Sequence, residues 1–366
     1  MDPLVPSREL LLIHRQAPPP SSPLRGKDSL PSPSGEVGWG KIWEEGFILT
    51  VSIIIPVKPG GEVKALKGLT GLDYPPDKLE IIIAEGMQPS VQRNKAAREA
   101  HGDILYFLDD DSLTAPDFLL RTVSHYDNPT VAAVGGPSLT PDTDSLLQRS
   151  IGVALASSLG GGGMRNRYRR TGNVRATGDQ ELILCNLSFR RNLFLELGGL
   201  DKRLYPNEEN ELMDRLRGRG SMLIHDPDLA IYRSQRSSYR AFLRQFLNYG
   251  RGRAEQTIIS RTIHPTTLLP ALMVLYFLLM LFFSEPVYYL PLLCYAGLLA
   301  FAACHGALRA GEWKMLPLLM IIFPTIHLAY GAGLWRGLIC WPFKKAKTGE
   351  PVVSLRWVKE FQRQHV

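Results

Sequence analysis

Three consecutive carboxylates, Asp109, Asp110 and Asp111, directly follow the apolar run Ile104-Leu105-Tyr106-Phe107-Leu108. One Asp in such a place would serve as a helix N-cap or turn residue. Three in a row repel one another and are better tolerated with a cation between them. Hard oxygen donors suit Mg2+ or Mn2+, and Mg2+ commonly joins protein carboxylates to substrate phosphates. A second acidic pair, Glu208 and Glu209, lies in "NEENELMDRLRGRG" (207–220). In isolation it reads as dipole-favourable charge in the first turn of a helix capped by Asn207, with Leu212 and Leu216 facing inward and Glu211–Arg215 as an i,i+4 pair. Arg93 in "SVQRN" puts a cation near a helix start, which suits a phosphate; a solvated helix face is its structural alternative.

The elements that must position these groups alternate between strand and helix. "TVSIIIPV" (50–57) and "KLEIIIAEG" (78–86) are β-branched runs expected for strands buried on both faces. Between them Val63, Leu66 and Leu69 mark a short helical stripe. "SVQRNKAAREAHG" (90–102) predicts a helix capped by Ser90 and stopped by Gly102. "DILYFLDDD" is the third strand, "APDFLLRTVSHY" the next helix and "VAAVGG" (131–136) the fourth strand. The repetition predicts right-handed crossovers and an α/β, mostly parallel sheet with helices on both faces. Ligands of such sheets bind beyond the carboxyl ends of the strands, where the three aspartates fall. No G-x-G-x-x-G or Walker A loop is present, since "GGGG" (160–163) lacks the following Lys-Ser/Thr.

Composition divides the 366 residues unevenly: 45% are hydrophobic and 21% charged, with net charge +7. The Pro/Ser-rich residues 1–47 are expected to be a disordered leader, and "LLLI" (10–13) is short for a signal-peptide core. Three apolar stretches, 268–283, 287–308 and 315–340, read together as membrane helices. Arg251, Arg253 and Arg261 before them and Lys344, Lys345 and Lys347 after them would put both flanks in the cytoplasm, which three full crossings cannot do. Either that charge bias is overruled and all three segments cross, the reading preferred here, or one segment is re-entrant or interfacial, for which Pro317, Pro324, Gly331 and Gly333 single out the third. Widely spaced Cys185, Cys294, Cys304 and Cys340 suggest reduced thiols rather than a disulfide framework or zinc site. The basic balance comes without a nucleic-acid recognition motif, so no nucleic-acid partner is expected.

Residues 50–255 as a set resemble the inverting family 2 glycosyltransferases of GT-A fold: "VSIIIPV", "EIIIAEG", "QRNKAAREAHGDILYFLDDDS", "CNLSFRRNLFLELGGLD", "NEENELMDRLRGRG" and "RQFLNYGRGRA". The last segment and the apolar tail are most similar to membrane-bound transferases of succinoglycan-type exopolysaccharide assembly. The resemblance implies a nucleotide-sugar donor, a UDP-sugar first among them, a divalent metal (Mg2+ or Mn2+), a lipid-linked saccharide acceptor and a hexosyl transfer at the lipid bilayer. It further implies a multi-pass protein of the inner membrane whose catalytic domain faces the cytoplasm.

Residue by residue, the resemblance implies Asp111 for the metal, Asp109 for metal or ribose support, and Asp110 for either task. It implies Pro56 and Glu85 at the nucleobase, Arg93 and Asn94 beneath the diphosphate, and Glu209 as the base, with Glu208 behind it. Gln245, Tyr249 and Arg251 would meet the acceptor or diphosphate. Asn248-Tyr249 replaces the Arg-Trp of processive synthases, which implies transfer of a single residue. Arg233 stands where many relatives have a metal-site His, leaving the metal with fewer ligands or calling on His225. The segment 146–170 is open between a helix near the membrane with a mobile acceptor loop and a plain linker. The expected domains are the leader 1–47, a catalytic domain 48–235, a basic interfacial helix 236–262, a membrane region 263–340 and a basic tail 341–366. Two other readings share the fold: a polyprenyl-phosphate sugar synthase and a catalytically silent membrane scaffold.

Overall fold

The computed structural model describes residues 48–261, 263, 267–282, 285–343 and 351–361. The expected leader and Lys344, Lys345 and Lys347 lie outside them. Strand β1 (Val51–Val57) is buried along its whole length, as its unbroken apolar run demands, and pairs in parallel with β2 (Leu79–Glu85) and β3 (Ile104–Leu108). Helix α1 (Leu66–Leu69) follows β1, and α2 (Pro89–Glu99) links β2 to β3. Ser90 does not cap α2, because the helix starts at Pro89 behind Gln88, and the Ser90 hydroxyl donates instead to the Leu204 carbonyl at 3.0 Å. Gly102 lies beyond the helix end, where a Cβ would stand 2.5 Å from Ser52 Oγ.

After α3 (Phe118–Ser124) come β4 (Val131–Gly135), the short β5 (Ser138–Leu139), α4 (Leu146–Ala156) and the short β6 (Arg175–Ala176). Strand β7 (Asn186–Arg190) then enters between β3 and β4, antiparallel to both, so the sheet is mixed rather than parallel throughout. The cause is where β7 begins: its first residue, Asn186, pairs with the last of β3, Leu108, so the chain enters at the aspartate end and must run back. Helices α5 (Arg191–Glu196) and α6 (Glu208–Gly218) precede β8 (Met222–His225), parallel to β4, and β9 (Ile231–Tyr232) pairs with β5. The two-residue period of β3 sends Tyr106 to one core layer with Phe118, and Phe107 to the other with Phe189 and Phe194.

The apolar region differs from expectation in three ways. Helix α8 (Leu269–Leu279) has 11 residues, too few to cross a bilayer, whereas α9 (Leu290–Arg309) and α10 (Leu316–Cys340) are long and apolar enough. Helix α10 runs unbroken through Pro324. Its glycines serve close packing on α7 (Tyr239–Ser260), for a Cβ on Gly333 would lie 2.1 Å from the Leu247 carbonyl, and one on Gly250 would lie 1.9 Å from that of Tyr330. The expected interfacial helix is therefore covered along one side, with Phe242, Phe246 and Ala254 buried.

The expected basic tail also needs correction. Residues Ser354–Lys359 form β10, antiparallel to β2 at the edge of the catalytic sheet. Lys95 Nζ donates to the Val353 carbonyl at 2.7 Å and holds the approach to that strand. The chain thus passes through the apolar helices and returns to the sheet from which it left.

Candidate active site

The aspartate cluster is built by a turn and a distant bridge. Asp109 N donates to Ser112 Oγ (3.2 Å) and Ser112 N to the Asp109 carbonyl (3.2 Å), closing the turn that ends β3. Beyond it Leu113 and Tyr232 exchange backbone hydrogen bonds, each 2.9 Å, which brings β9 alongside and delivers Arg233 to the carboxylates. Arg233 Nε lies 2.8 Å from Asp111 Oδ1, and Arg233 Nη2 lies 3.1 Å from Asp109 Oδ2. On the other side, Arg93 Nη2 donates to Asp109 Oδ1 at 2.7 Å. Burial pushes the Asp109 carboxyl up, but the Arg233 and Arg93 guanidiniums outweigh it and hold the group below the usual carboxylate range. Asp110 behaves oppositely, raised by burial and by its neighbours Asp111 and Asp109.

The second acidic pair is split by its surroundings. Glu208, at the start of α6, is 2% exposed, and its Oε1 is 3.5 Å from Arg93 Nη1. Burial first, and the neighbouring Glu209 second, push its carboxyl up to about 8 against the pull of Arg93. Its surroundings thus favour the protonated form, whereas Glu209 has Arg167 beside it. Glu209 projects into a cavity of about 750 Å³ and sits 3.8 Å from Arg167 Nη1. Arg167 is itself buried, its Nε on the Gln180 carbonyl (2.9 Å) and its Nη2 on Asn210 Oδ1 (2.6 Å), and so fixes α6 against the segment that precedes it. Asn207 occupies the N-cap position with φ 83° but makes no side-chain cap bond. Glu211 and Arg215 form the expected i,i+4 pair at 2.7 Å.

The cavity joins two chemistries. Its polar lining includes Glu209, Asp179, Arg167 and Arg253, and its apolar lining includes Leu272, Met273, Phe277, Leu298 and Ile326 of the apolar helices. Gly160 to Gly163 line it too, which gives the segment 146–170 a place: α4 packs on α9 and α10, and the glycines that follow form part of the cavity wall. At Gly160 a Cβ would stand 2.3 Å from the Ala154 carbonyl, so close backbone approach accounts for that glycine.

The other residues singled out in the sequence are dispersed around this centre. Pro56 is buried opposite Ala84, and Glu85, one register step on, accepts from Gly60 N at 3.1 Å. Arg93 Nε has no hydrogen-bond partner among the described residues, although Arg93 is only 5% exposed. Asn94 is committed to backbone: its amide donates to the Leu200 carbonyl (2.7 Å) and accepts from Leu200 N (2.9 Å). Gln245 donates to the Tyr249 hydroxyl at 2.7 Å, and Tyr249 lines the cavity. Arg251 donates to the Tyr205 carbonyl at 3.0 Å. His225 is buried on β8, where the charges that perturb it are Arg175, Glu181 and Asp226, so it does not supplement Asp109 or Asp111.

Whether the aspartates suit a divalent ion turns on Arg233. Both Asp109 oxygens and Oδ1 of Asp111 already bond to guanidiniums, and among the described residues no group of three His, Cys, Asp or Glu is arranged to hold a metal. In this arrangement the donor set does not fit Mg2+ or Mn2+. The sequence signal for Arg233 was its place in the resemblance; that it spans two of the aspartates was not legible. Arg167 and the cavity carried no sequence signal.

The family model of glycosyl transferase family group 2 matches residues 104–341, reaching through the apolar helices. Among curated proteins, the succinoglycan biosynthesis protein ExoA of Rhizobium meliloti is 27% identical over 209 residues, 53% of this chain and 58% of that protein. Glucosyl-dolichyl phosphate glucuronosyltransferase of Haloferax volcanii is 30% identical over 118 residues, 31% of this chain and 34% of that protein. The chain thus covers less than two thirds of either relative's length. Among solved structures, the mannosyltransferase PcManGT of Pyrobaculum calidifontis, in complex with GDP-Man and Mn2+, has a TM-score of 0.49 at 16% identity, covering 80% of this chain and 88% of that one.

Proposed function

The chain belongs to glycosyl transferase family group 2, and on that footing we propose that it transfers one sugar from a nucleotide-sugar to a hydroxyl of a lipid-linked saccharide in polysaccharide assembly, with inversion at the anomeric carbon. The observation that carries this reading is one cavity lined both by Glu209 and by apolar helix residues. A saccharide hydroxyl would meet Glu209 while its lipid lies along Leu272, Met273 and Leu298. The likeness to ExoA supports the polysaccharide context, and the archaeal relative supports a lipid-borne one.

The derived chemistry is a single displacement. Glu209 takes the proton of the acceptor hydroxyl, and that oxygen forms the new bond to the anomeric carbon. The bond from that carbon to the diphosphate oxygen breaks, and its electron pair leaves with the nucleoside diphosphate. Arg93, buried and with Nε unpartnered among the described residues, faces the developing negative charge. No covalent intermediate with the protein is required.

The site of action is a membrane surface. Leu290, Leu293, Leu298 and Phe301 of α9 and Leu272 and Leu278 of α8 are exposed, an apolar area suited to lipid. Both ends of α10 are tied to the catalytic side. Glu312, just before it, is 2.7 Å from Arg149 of α4, while Gly337 lies against Arg251, whose side chain holds Tyr205. With β10 also back in the sheet, we read the apolar helices as lying along the cytoplasmic face of the bilayer rather than through it. Arg240 and Arg244, exposed on α7, would meet anionic headgroups.

The direct test incubates membranes containing the full chain with labelled UDP-, GDP- and dTDP-sugars and then extracts the lipid. Label in the lipid fraction from one donor class is expected. No transfer from any donor would overturn the reading.

A further inference from the structure

We propose that Arg233 is a built-in cation that takes the place of a divalent metal between Asp109 and Asp111 and, with Arg93, carries the charge of the nucleoside diphosphate. The inference rests on the glycosyltransferase reading for the identity of the ligand but on this chain's own geometry for the cation. Arg233 contacts both carboxylates, at 2.8 and 3.1 Å, and Arg93 contacts Asp109 from the opposite side at 2.7 Å. Two guanidiniums therefore flank one carboxylate, and one of them spans two.

The position of Arg233 is prepared rather than incidental. Its backbone N donates to the Leu139 carbonyl at 2.9 Å, and its chain neighbour Tyr232 is locked to Leu113, one residue past the turn of the aspartates. The side chain is 23% exposed, which leaves it an edge for a ligand while the carboxylates hold the other. A guanidinium suits the task because its planar fork bonds carboxylate and phosphate oxygens at once and keeps its charge at any physiological pH. A metal between the same carboxylates would have to displace it. The aspartates then act by holding Arg233 in place.

The test uses the full-length protein in lipid nanodiscs, wild type beside Arg233→Ala, Arg233→Lys and Arg233→His. Binding of UDP, GDP and dTDP is measured calorimetrically in EDTA and again in Mn2+, and bound Mn2+ is followed by electron paramagnetic resonance. Wild type is expected to bind its nucleotide with the same affinity, within about twofold, in both conditions and to show no immobilised Mn2+. Arg233→Ala should lose about tenfold or more in nucleotide affinity in EDTA, and Arg233→Lys should recover part of it, as expected when one charge-assisted phosphate contact is removed and then partly restored. Immobilised Mn2+ in Arg233→His but not in wild type would support the replacement. Wild-type affinity that collapses in EDTA, with an immobilised Mn2+ signal that nucleotide strengthens, would overturn it. If none of the three nucleotides binds under any condition, the glycosyltransferase reading fails, and the Mn2+ spectra of wild type and Arg233→His still decide the replacement.

Discussion

Arg93 joins the two acidic clusters: its Nη2 lies 2.7 Å from Asp109 Oδ1 and its Nη1 lies 3.5 Å from Glu208 Oε1. One buried side chain from α2 therefore links the end of β3 to the start of α6. Any charge that arrives between the clusters is felt by both. Replacing Arg93 by Ala should lower transfer by about 10²-fold, the scale of losing one preorganised electrostatic contact. Arg93→Lys should recover only part, since a single ammonium cannot face two carboxylates as a planar fork does. Steady-state rates with the labelled donor check this, and a near-normal Arg93→Ala enzyme would remove Arg93 from the site.

Glu209 and Glu208 should separate kinetically. Glu209→Gln is expected to cut kcat by roughly 10² to 10⁴-fold with little change in donor KM, because a base acts on the acceptor proton and not on nucleotide binding. Glu208→Gln should cost much less near neutral pH, because burial and Glu209 already favour the protonated form of the native side chain. Equal losses in the two variants would make the pair a coupled unit and overturn this assignment.

Stability should fall with rising pH through the range set by Glu208. Its carboxyl moves from 4.5 in the unfolded chain to about 8 in the fold, so the folded state holds the extra proton between those values. Stability contributed by that proton is complete below pH 4.5 and is lost as pH rises through about 8. Thermal unfolding of wild type and Glu208→Gln across that range checks the sign. Glu208→Gln should flatten the curve, and an unchanged slope would contradict the buried protonated state.

The course of the chain at the membrane can be read by labelling. In a cysteine-free background, Lys314→Cys, in the turn between α9 and α10, and Val352→Cys, just before β10, should both react with a membrane-impermeant maleimide from the catalytic side. Reaction of Lys314→Cys only from the opposite side would mean that α9 and α10 cross the bilayer.

The α7–α10 contact should resist enlargement. A Cβ on Gly250 would sit 1.9 Å from the Tyr330 carbonyl, so Gly250→Ala must push the helices apart. A loss of about 1–3 kcal/mol is expected, the usual cost of overpacking. Thermal unfolding measures it, and a neutral variant would show that the helices do not pack this closely.

The sequence alone carried what is local. The buried runs of β1 to β4, the carboxylates beyond β3, the acid-rich first turn of α6 and the length of the apolar stretches all follow from side-chain period and composition over short windows. What spans long separations was decided by tertiary structure. Arg233 meets Asp111 across 122 residues because β9 is bridged to Leu113. Helix α10 packs closely on α7 because its glycines admit neighbouring backbone, and β10 closes on β2 after an apolar excursion that looked like the end of the fold. Period and composition report which face of an element is buried but not which partner covers it. The cation between the aspartates is such a partner, chosen by strand pairing far from either residue.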